Sequence, residues 1–308
     1  MRVTVMGPGG VGGYFGARLA AAGNDVTFVA RGAHLEAMKA NGLRLDSEIG
    51  NLHLNPVKVV ADVREIPAAD AIIFAVKMRD TESAAESLAP LVAKGAAIFT
   101  FQNGVESAER IGKMVGAGNV VEGAARIASN IPEPGVIKQI GKFAILEFGE
   151  RDGKPSDRTT AFHAACVAAG INASLSDNIS RTLWLKFSML APVAGMTALT
   201  RGPLGPIRST PESYALLKAA VEETVAVGIA LKTGLEADDA AKTIKLIDGL
   251  PNPMMASMCH DLLAGKPIEV AGLSGAVARL AKANGVVAPT HAFIAAALAP
   301  FTDGKPKV

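Results

Sequence analysis

The sequence predicts an α/β domain followed by an all-helical one, and three observations carry that prediction. An apolar segment, Val3 to Met6, runs into Gly7-x-Gly9-x-x-Gly12 and an alanine-rich stretch, and a second apolar segment, Val26 to Ala30, follows. Short apolar runs then alternate with helically spaced ones to about residue 176. From residue 177 onward, long Ala/Leu/Val stretches carry helical periodicity alone. A chain of 308 residues is long enough for two cores, so the expected domains are 1–176 and 177–308.

The first segment reads as one βαβ unit with a glycine fingerprint, the start of a Rossmann-type dinucleotide-binding domain. Gly7 permits the tight turn, Gly9 lets the backbone approach a pyrophosphate, and Gly12 lets the helix pack close to the strand. Together with Pro8, Gly10 and Val11 they form the expected phosphate cradle, where the bare N–H groups of a helix start face anionic oxygens. At the end of the second strand an NAD site usually has an acid for the ribose 2′-hydroxyl. Here the residue is Arg31, with no acid until Glu36 along the chain. A guanidinium suits a 2′-phosphate, which points to NADP(H) as cofactor.

Further elements follow in order. Leu52 to Val60 reads as a strand that Pro56 confines to an edge or bends. Asp70 to Val76 and Ala96 to Phe101 are apolar runs of the buried parallel type, ending at Lys77 and at Gln102-Asn103-Gly104. Residues 81–93 have helical spacing between them. More strands are expected at Val120 to Ala125, Gly135 to Gln139, Phe143 to Gly149 and Asn172 to Leu175, with a helix near Asp157 to Ala169. The second half should hold helices at about 178–200, 211–233, 237–247, 254–264, 270–284 and 290–299, punctuated by Gly202-Pro203-Leu204-Gly205-Pro206 and Leu250-Pro251-Asn252-Pro253.

Composition excludes several classes. A net charge of +2 leaves no footprint for nucleic acid or a membrane surface. No signal peptide or transmembrane helix is expected, and the setting is expected to be cytoplasmic. Cys166 and Cys259 lack metal-ligand spacing and read as reduced buried thiols, and the five histidines are scattered, so no metal is expected. The apolar helical half is compatible with a homodimer.

Candidate chemistry sits at strand ends, where open parallel sheets bind ligands. Arg31, Lys77 and Asn103 occupy such ends, although a strand-end arginine and an Asn-Gly turn need no function. Trp184-Leu-Lys186-Phe places a lysine in an apolar helix, where it either snorkels to solvent or has a task. Ser257 and Glu269 open two further helical stretches and read equally well as caps or exposed residues.

The ordered set of motifs resembles the 2-dehydropantoate 2-reductase, or ketopantoate reductase, family over nearly the whole chain. The matching pieces are Gly7-x-Gly-x-x-Gly12, Ala30-Arg31-Gly, Val76-Lys77, Gln102-Asn103-Gly104, Trp-x-Lys186 with Thr197-Ala-Leu199, Ser257-Met-x-x-Asp261-x-x-x-Gly-x-x-x-Glu269, and the tail Asn284-Gly-Val-Val-Ala-Pro289-Thr-His. The resemblance implies NADPH-dependent reduction of a 2-oxo acid within pantothenate biosynthesis. It makes Lys186 the proton donor and Glu269 its partner near cofactor and substrate. Arg31, Lys77 and Asn103 then contact the cofactor, and Asn103 and Ser257 contact the substrate. One departure stands out: the family usually has asparagines four and eight residues after the lysine, where this chain has Leu190 and Ala194. A third family asparagine falls loosely at Leu204. Lost amide contacts shift specificity, so a related reductase for a more apolar 2-oxo acid is the alternative. A non-catalytic NADP-binding sensor is a further alternative, which retention of Lys186 with Glu269 disfavours.

Overall fold

The computed structural model describes residues 1–306. The chain forms two compact units, Met1–Asn103 with Ser107–Ile179, and Gly104–Glu106 with the chain from Ser180 onward. The first unit contains β1 (Arg2–Met6), α1 (Gly10–Ala21), β2 (Asp25–Val29), α2 (Gly32–Asn41), β3 (Leu43–Ser47), β4 (Leu52–Leu54), β5 (Val59–Val60) and β6 (Ala71–Phe74). It continues with α3 (Thr81–Ser87), α4 (Ala89–Val92), β7 (Ala97–Thr100), α5 (Ser107–Val115), β8 (Val120–Glu133), β9 (Val136–Gly149), α6 (Asp157–Ala168) and β10 (Asn172–Leu175).

The strands form one ten-stranded mixed sheet with path β4-β3-β9-β8-β7-β6-β1-β2-β5, and β10 pairs beside β3 on β9. From β8 through β5 every pairing is parallel, β8 and β9 are antiparallel, and β3 and β10 lie parallel to β9. Apolar cores cover both faces, which is why β6 is a continuous apolar run. Ala71 and Ile73 join the core around Phe15, Phe28, Phe99, Phe148 and Phe162, while Ile72 and Phe74 face Leu88, Leu91 and Ile111 on the other side.

Residues 55–58 link β4 to β5, the two ends of the sheet path. Five residues of advance reach at most roughly 18 Å, whereas eight flat inter-strand steps would span roughly 38 Å. The sheet therefore curls round, and it curls on α1. A Cβ at Gly16 would lie 2.7 Å from Val5 of β1, one at Gly13 2.7 Å from Ile137 of β9, and one at Gly10 2.6 Å from the Ser129 carbonyl of β8. Helix α1 is glycine-rich because strands approach it from two sides.

Several expected elements differ. Leu52 to Val60 is two strands, one at each edge, broken around Pro56. The helix at 81–93 is two, because Pro90 cannot donate back along the helix and instead sits in the first turn of α4. The expected strands at 135–139 and 143–149 are one strand, β9, interrupted where Ala128 pairs with Ile140 after Ile127 pairs with Ala144, so Gly141 to Phe143 bulge out. Strand β3 was not expected; its buried Leu43 and Leu45 alternate with an arginine and an aspartate.

The second unit carries α7 (Ile179–Thr200), α8 (Leu204–Ser209), α9 (Pro211–Ala230), α10 (Asp239–Asp248), α11 (Ser257–Leu263), α12 (Ser274–Ala283) and α13 (Pro289–Leu298). Helix α8 lies inside the Gly-Pro cluster expected to be a loop: Pro203 precedes it, Pro206 falls in its first turn, and Leu204 and Ile207 are buried. The stretch at 270–284 splits into a 3₁₀ turn, Val270–Gly272, and α12. Close approaches fix the packing of α7. A Cβ at Gly195 would lie 2.9 Å from Ile294 of α13 and from Ser274 of α12, and one at Gly228 of α9 would lie 3.0 Å from Trp184. Glu223 of α9 accepts the Thr290 and His291 N–H groups at 2.9 and 3.0 Å, capping α13. Against the expectation of no such helix, α7 is long and apolar enough to cross a membrane by length and composition, and 67% of that window is buried inside the protein.

Candidate active site

The carboxyl ends of four neighbouring strands, in the order β7-β6-β1-β2, carry the expected cofactor residues of the first unit. Asn103 lies beyond β7, Lys77 beyond β6, Gly7 to Gly12 beyond β1 and Arg31 beyond β2. Three strand steps, roughly 14 Å, separate the outer two. The glycine turn is tightly built. Gly7 has φ +87°, and a Cβ there would lie 2.9 Å from the Val76 backbone. At Gly12 it would lie 2.4 Å from the Gly7 carbonyl oxygen.

Gly9 is different. It is the N-cap of α1 with ordinary extended dihedrals (φ −77°, ψ −161°), has no side chain to cap the helix, and meets nothing within 4 Å where a Cβ would stand. An α-helix start leaves its first N–H groups without intrahelical partners, and the dipole adds partial positive charge there. These residues fit a pyrophosphate: donors, a positive end and open space at the one glycine assigned to close approach.

His34 of α2 buttresses the turn. Its Nδ1 accepts the Gly135 N–H at 3.0 Å, so Nε2 carries the proton and donates to the Pro8 carbonyl at 2.9 Å. Burial pushes its pKa down, which favours this neutral form. No sequence signal distinguished His34 among the scattered histidines. Gln102 was also passed over: its Nε2 donates to the Val76 carbonyl at 2.9 Å and the Thr81 hydroxyl at 3.0 Å, tying the end of β7 to the segment that carries Lys77.

Arg31 corrects one expectation. It does have an acid beside it: Asp80, from the turn after β6, accepts a hydrogen bond from Arg31 Nη2 at 3.1 Å. Forty-nine residues separate the two, so a search along the chain near Arg31 could not find it.

In the second unit, Lys186 lies in the second turn of α7 and is half-buried. Four and eight residues on, the same helix face carries Leu190, partly exposed, and Ala194, 1% exposed. Ser188, two residues after Lys186, is fully buried, and its hydroxyl bonds the Leu185 carbonyl at 2.9 Å and Thr243 Oγ1 at 3.1 Å. It is committed to the helix interior. Ser257 is the exposed first residue of α11, and Glu269 is half-buried just before the 3₁₀ turn. Leu204, at the loosely aligned third asparagine position, is fully buried.

Comparison with known proteins identifies the family. A family model described as ketopantoate reductase PanE/ApbA matches residues 3–153, and its C-terminal counterpart matches residues 178–301. The 2-dehydropantoate 2-reductase of Mesorhizobium japonicum is 31% identical, covering 94% of this chain and 94% of its own length. The structure of a PanE/ApbA family ketopantoate reductase from Ralstonia eutropha superposes with a TM-score of 0.88 at 30% identity, over 96% of both chains. That of 2-dehydropantoate 2-reductase from Geobacter metallireducens gives 0.90 at 28%, over 97% of this chain and 99% of the other. Fold and likeness define an oxidoreductase acting on a CH–OH or 2-oxo group, which sets aside the non-catalytic sensor. The chain belongs to the ketopantoate reductase family.

Proposed function

We propose that this chain reduces a 2-oxo acid to the 2-hydroxy acid with NADPH, with ketopantoate as the leading substrate. The observation that carries the reading is the uncapped start of α1 beside Gly9, where protein atoms leave open space. In this reading the backbone of Gly7, Pro8, Gly9, Gly10, Val11 and Gly12 holds the pyrophosphate, and Arg31 meets the 2′-phosphate. Lys77 and Asn103 line the ribose and nicotinamide. When bound, the reduced nicotinamide supplies hydride to the 2-oxo carbon. Lys186 then gives a proton to the oxygen as negative charge develops on it, combining acid and positive charge in one group. Glu269 orients that ammonium. Ser257 and Asn103 hold polar groups of the substrate. This activity would place the protein in pantothenate biosynthesis in the cytoplasm.

Leu190, partly exposed where the family usually has an asparagine, favours a second reading, a branched or aromatic 2-oxo acid. The ketopantoate hydroxyl facing Leu190 without a partner would cost about 1–3 kcal/mol. The test is NADPH oxidation with ketopantoate and a panel of apolar 2-oxo acids, repeated with NADH. Turnover of ketopantoate above every apolar analogue supports the first reading, and the reverse order supports the second. No turnover of any 2-oxo acid overturns both, and equal kcat/KM for NADH and NADPH overturns the cofactor preference.

A further inference from the structure

Arg31 and Asp80 follow β2 and β6, the two strands that flank β1. Their ion pair therefore crosses the end of the strand that carries the glycine turn. The two partners are held unequally. The Arg31 side chain is 72% exposed and touches Asp80 through a single 3.1 Å contact. Asp80 is 31% exposed and fixed by its backbone: its N–H donates to the Lys77 carbonyl at 2.9 Å, and its carbonyl accepts the Ser83 hydroxyl at 3.3 Å at the start of α3.

We propose that Asp80 is a dinucleotide-selectivity residue, whose carboxylate competes with the 2′-phosphate of NADPH for Arg31 and narrows the preference for NADPH over NADH. The inference rests on the reading that Arg31 meets the 2′-phosphate. One guanidinium then faces two anions. A phosphate that binds Arg31 from its open side still lies within several ångströms of the Asp80 carboxylate, and like charges there repel even through partly screened solvent. NADH brings a neutral hydroxyl to the same place. A carboxylate accepts a hydrogen bond from that hydroxyl, so Asp80 supplies from the β6 side the acid that the end of β2 lacks. The exposed Arg31–Asp80 pair is weak enough to rearrange for either nucleotide.

The test is fluorescence titration of NADPH and NADH into the full-length wild type, Asp80→Asn, Arg31→Ala and the double variant at one ionic strength. Asp80→Asn keeps the shape of the side chain and places a good capping residue at the start of α3. It should tighten NADPH by about three- to tenfold while NADH stays unchanged or weakens. In the Arg31→Ala background the same change should tighten NADPH by a smaller factor than in the wild type, because competition for the guanidinium is gone and only the direct repulsion remains, a non-additivity expected of residues that share one partner. A general structural role would move both nucleotides alike and would survive loss of Arg31. If Arg31→Ala weakens NADPH selectively but Asp80→Asn leaves the NADPH-to-NADH ratio unchanged, this inference alone is overturned. If Arg31→Ala weakens neither nucleotide selectively, the Arg31 reading falls and this inference falls with it.

Discussion

Replacing Gly9 and Gly12 by alanine, one at a time, separates what the glycine turn does for the fold from what it does for a ligand. At Gly9 the dihedrals suit any residue and a Cβ meets nothing within 4 Å. The folded protein should accept the methyl, and the stiffer unfolded chain should add about 0.4–1 kcal/mol of stability, a rise of about 1–3 °C in Tm. The methyl nevertheless stands where a pyrophosphate would approach. Displacing the phosphate from one or two N–H donors should cost about 2–4 kcal/mol, roughly 30- to 1,000-fold in Kd. At Gly12 the methyl would lie 2.4 Å from the Gly7 carbonyl, 3.1 Å from Val5 and 3.2 Å from Ala75. Backbone must give way there, so Gly12→Ala should lose about 1–3 kcal/mol of stability together with binding. Thermal denaturation and NADPH titration on both variants check the pair. Wild-type affinity in Gly9→Ala, or destabilisation of Gly9→Ala matching that of Gly12→Ala, would refute the reasoning.

Three other outcomes follow from the second unit. Lys186→Met should lower kcat by on the order of 10²–10⁴ with NADPH affinity within about twofold of wild type; unchanged turnover in steady-state assays would make Lys186 a snorkelling residue. Leu190→Asn should raise kcat/KM for ketopantoate relative to an apolar 2-oxo acid by at least about fivefold, whereas Ala194→Asn, at a 1% exposed position, should mainly lower Tm. His291 is fully buried between the Ala220 carbonyl at 2.9 Å and Thr224 at 2.8 Å, with Nδ1 unpartnered, and burial pushes its pKa below 6.5. The unfolded chain takes up this proton near pH 6.5 and the folded one only at lower pH, so stability should fall as pH drops below about 6.5, by up to about 1.4 kcal/mol per unit. Urea midpoints between pH 7.5 and 5.5 should show a flatter slope in His291→Gln; an identical slope would remove His291 as its source.

The glycine turn, the strands ending at Lys77 and Asn103, and most of the long helices were legible because each is a local pattern of period and punctuation. Elements whose cause is distant were not. Strand β3 exists because β9 pairs with it across some ninety residues, and its two leucines among charged neighbours carry no local signal. Helix α8 hid in a Gly-Pro cluster because prolines that usually stop a helix can also start one. Local patterns located Arg31 but missed Asp80, since a partner reached through the sheet order leaves no trace in the neighbouring residues.

The curled sheet has a kinetic consequence for the site. Helix α1 has β1 and β2 on one flank and β8 and β9 on another. Its first turn therefore cannot open without parting strands from both halves of the sheet. Local openings of low free energy need few buried contacts, and this helix has many. The hydrogen-bonded amides of α1 beyond its first turn should exchange with solvent only in the largest unfolding events of the first unit, more slowly than those of the exposed α2 helix. A donor set held this rigidly pays little ordering entropy when an anion arrives. The fold does the preorganising before any ligand is present.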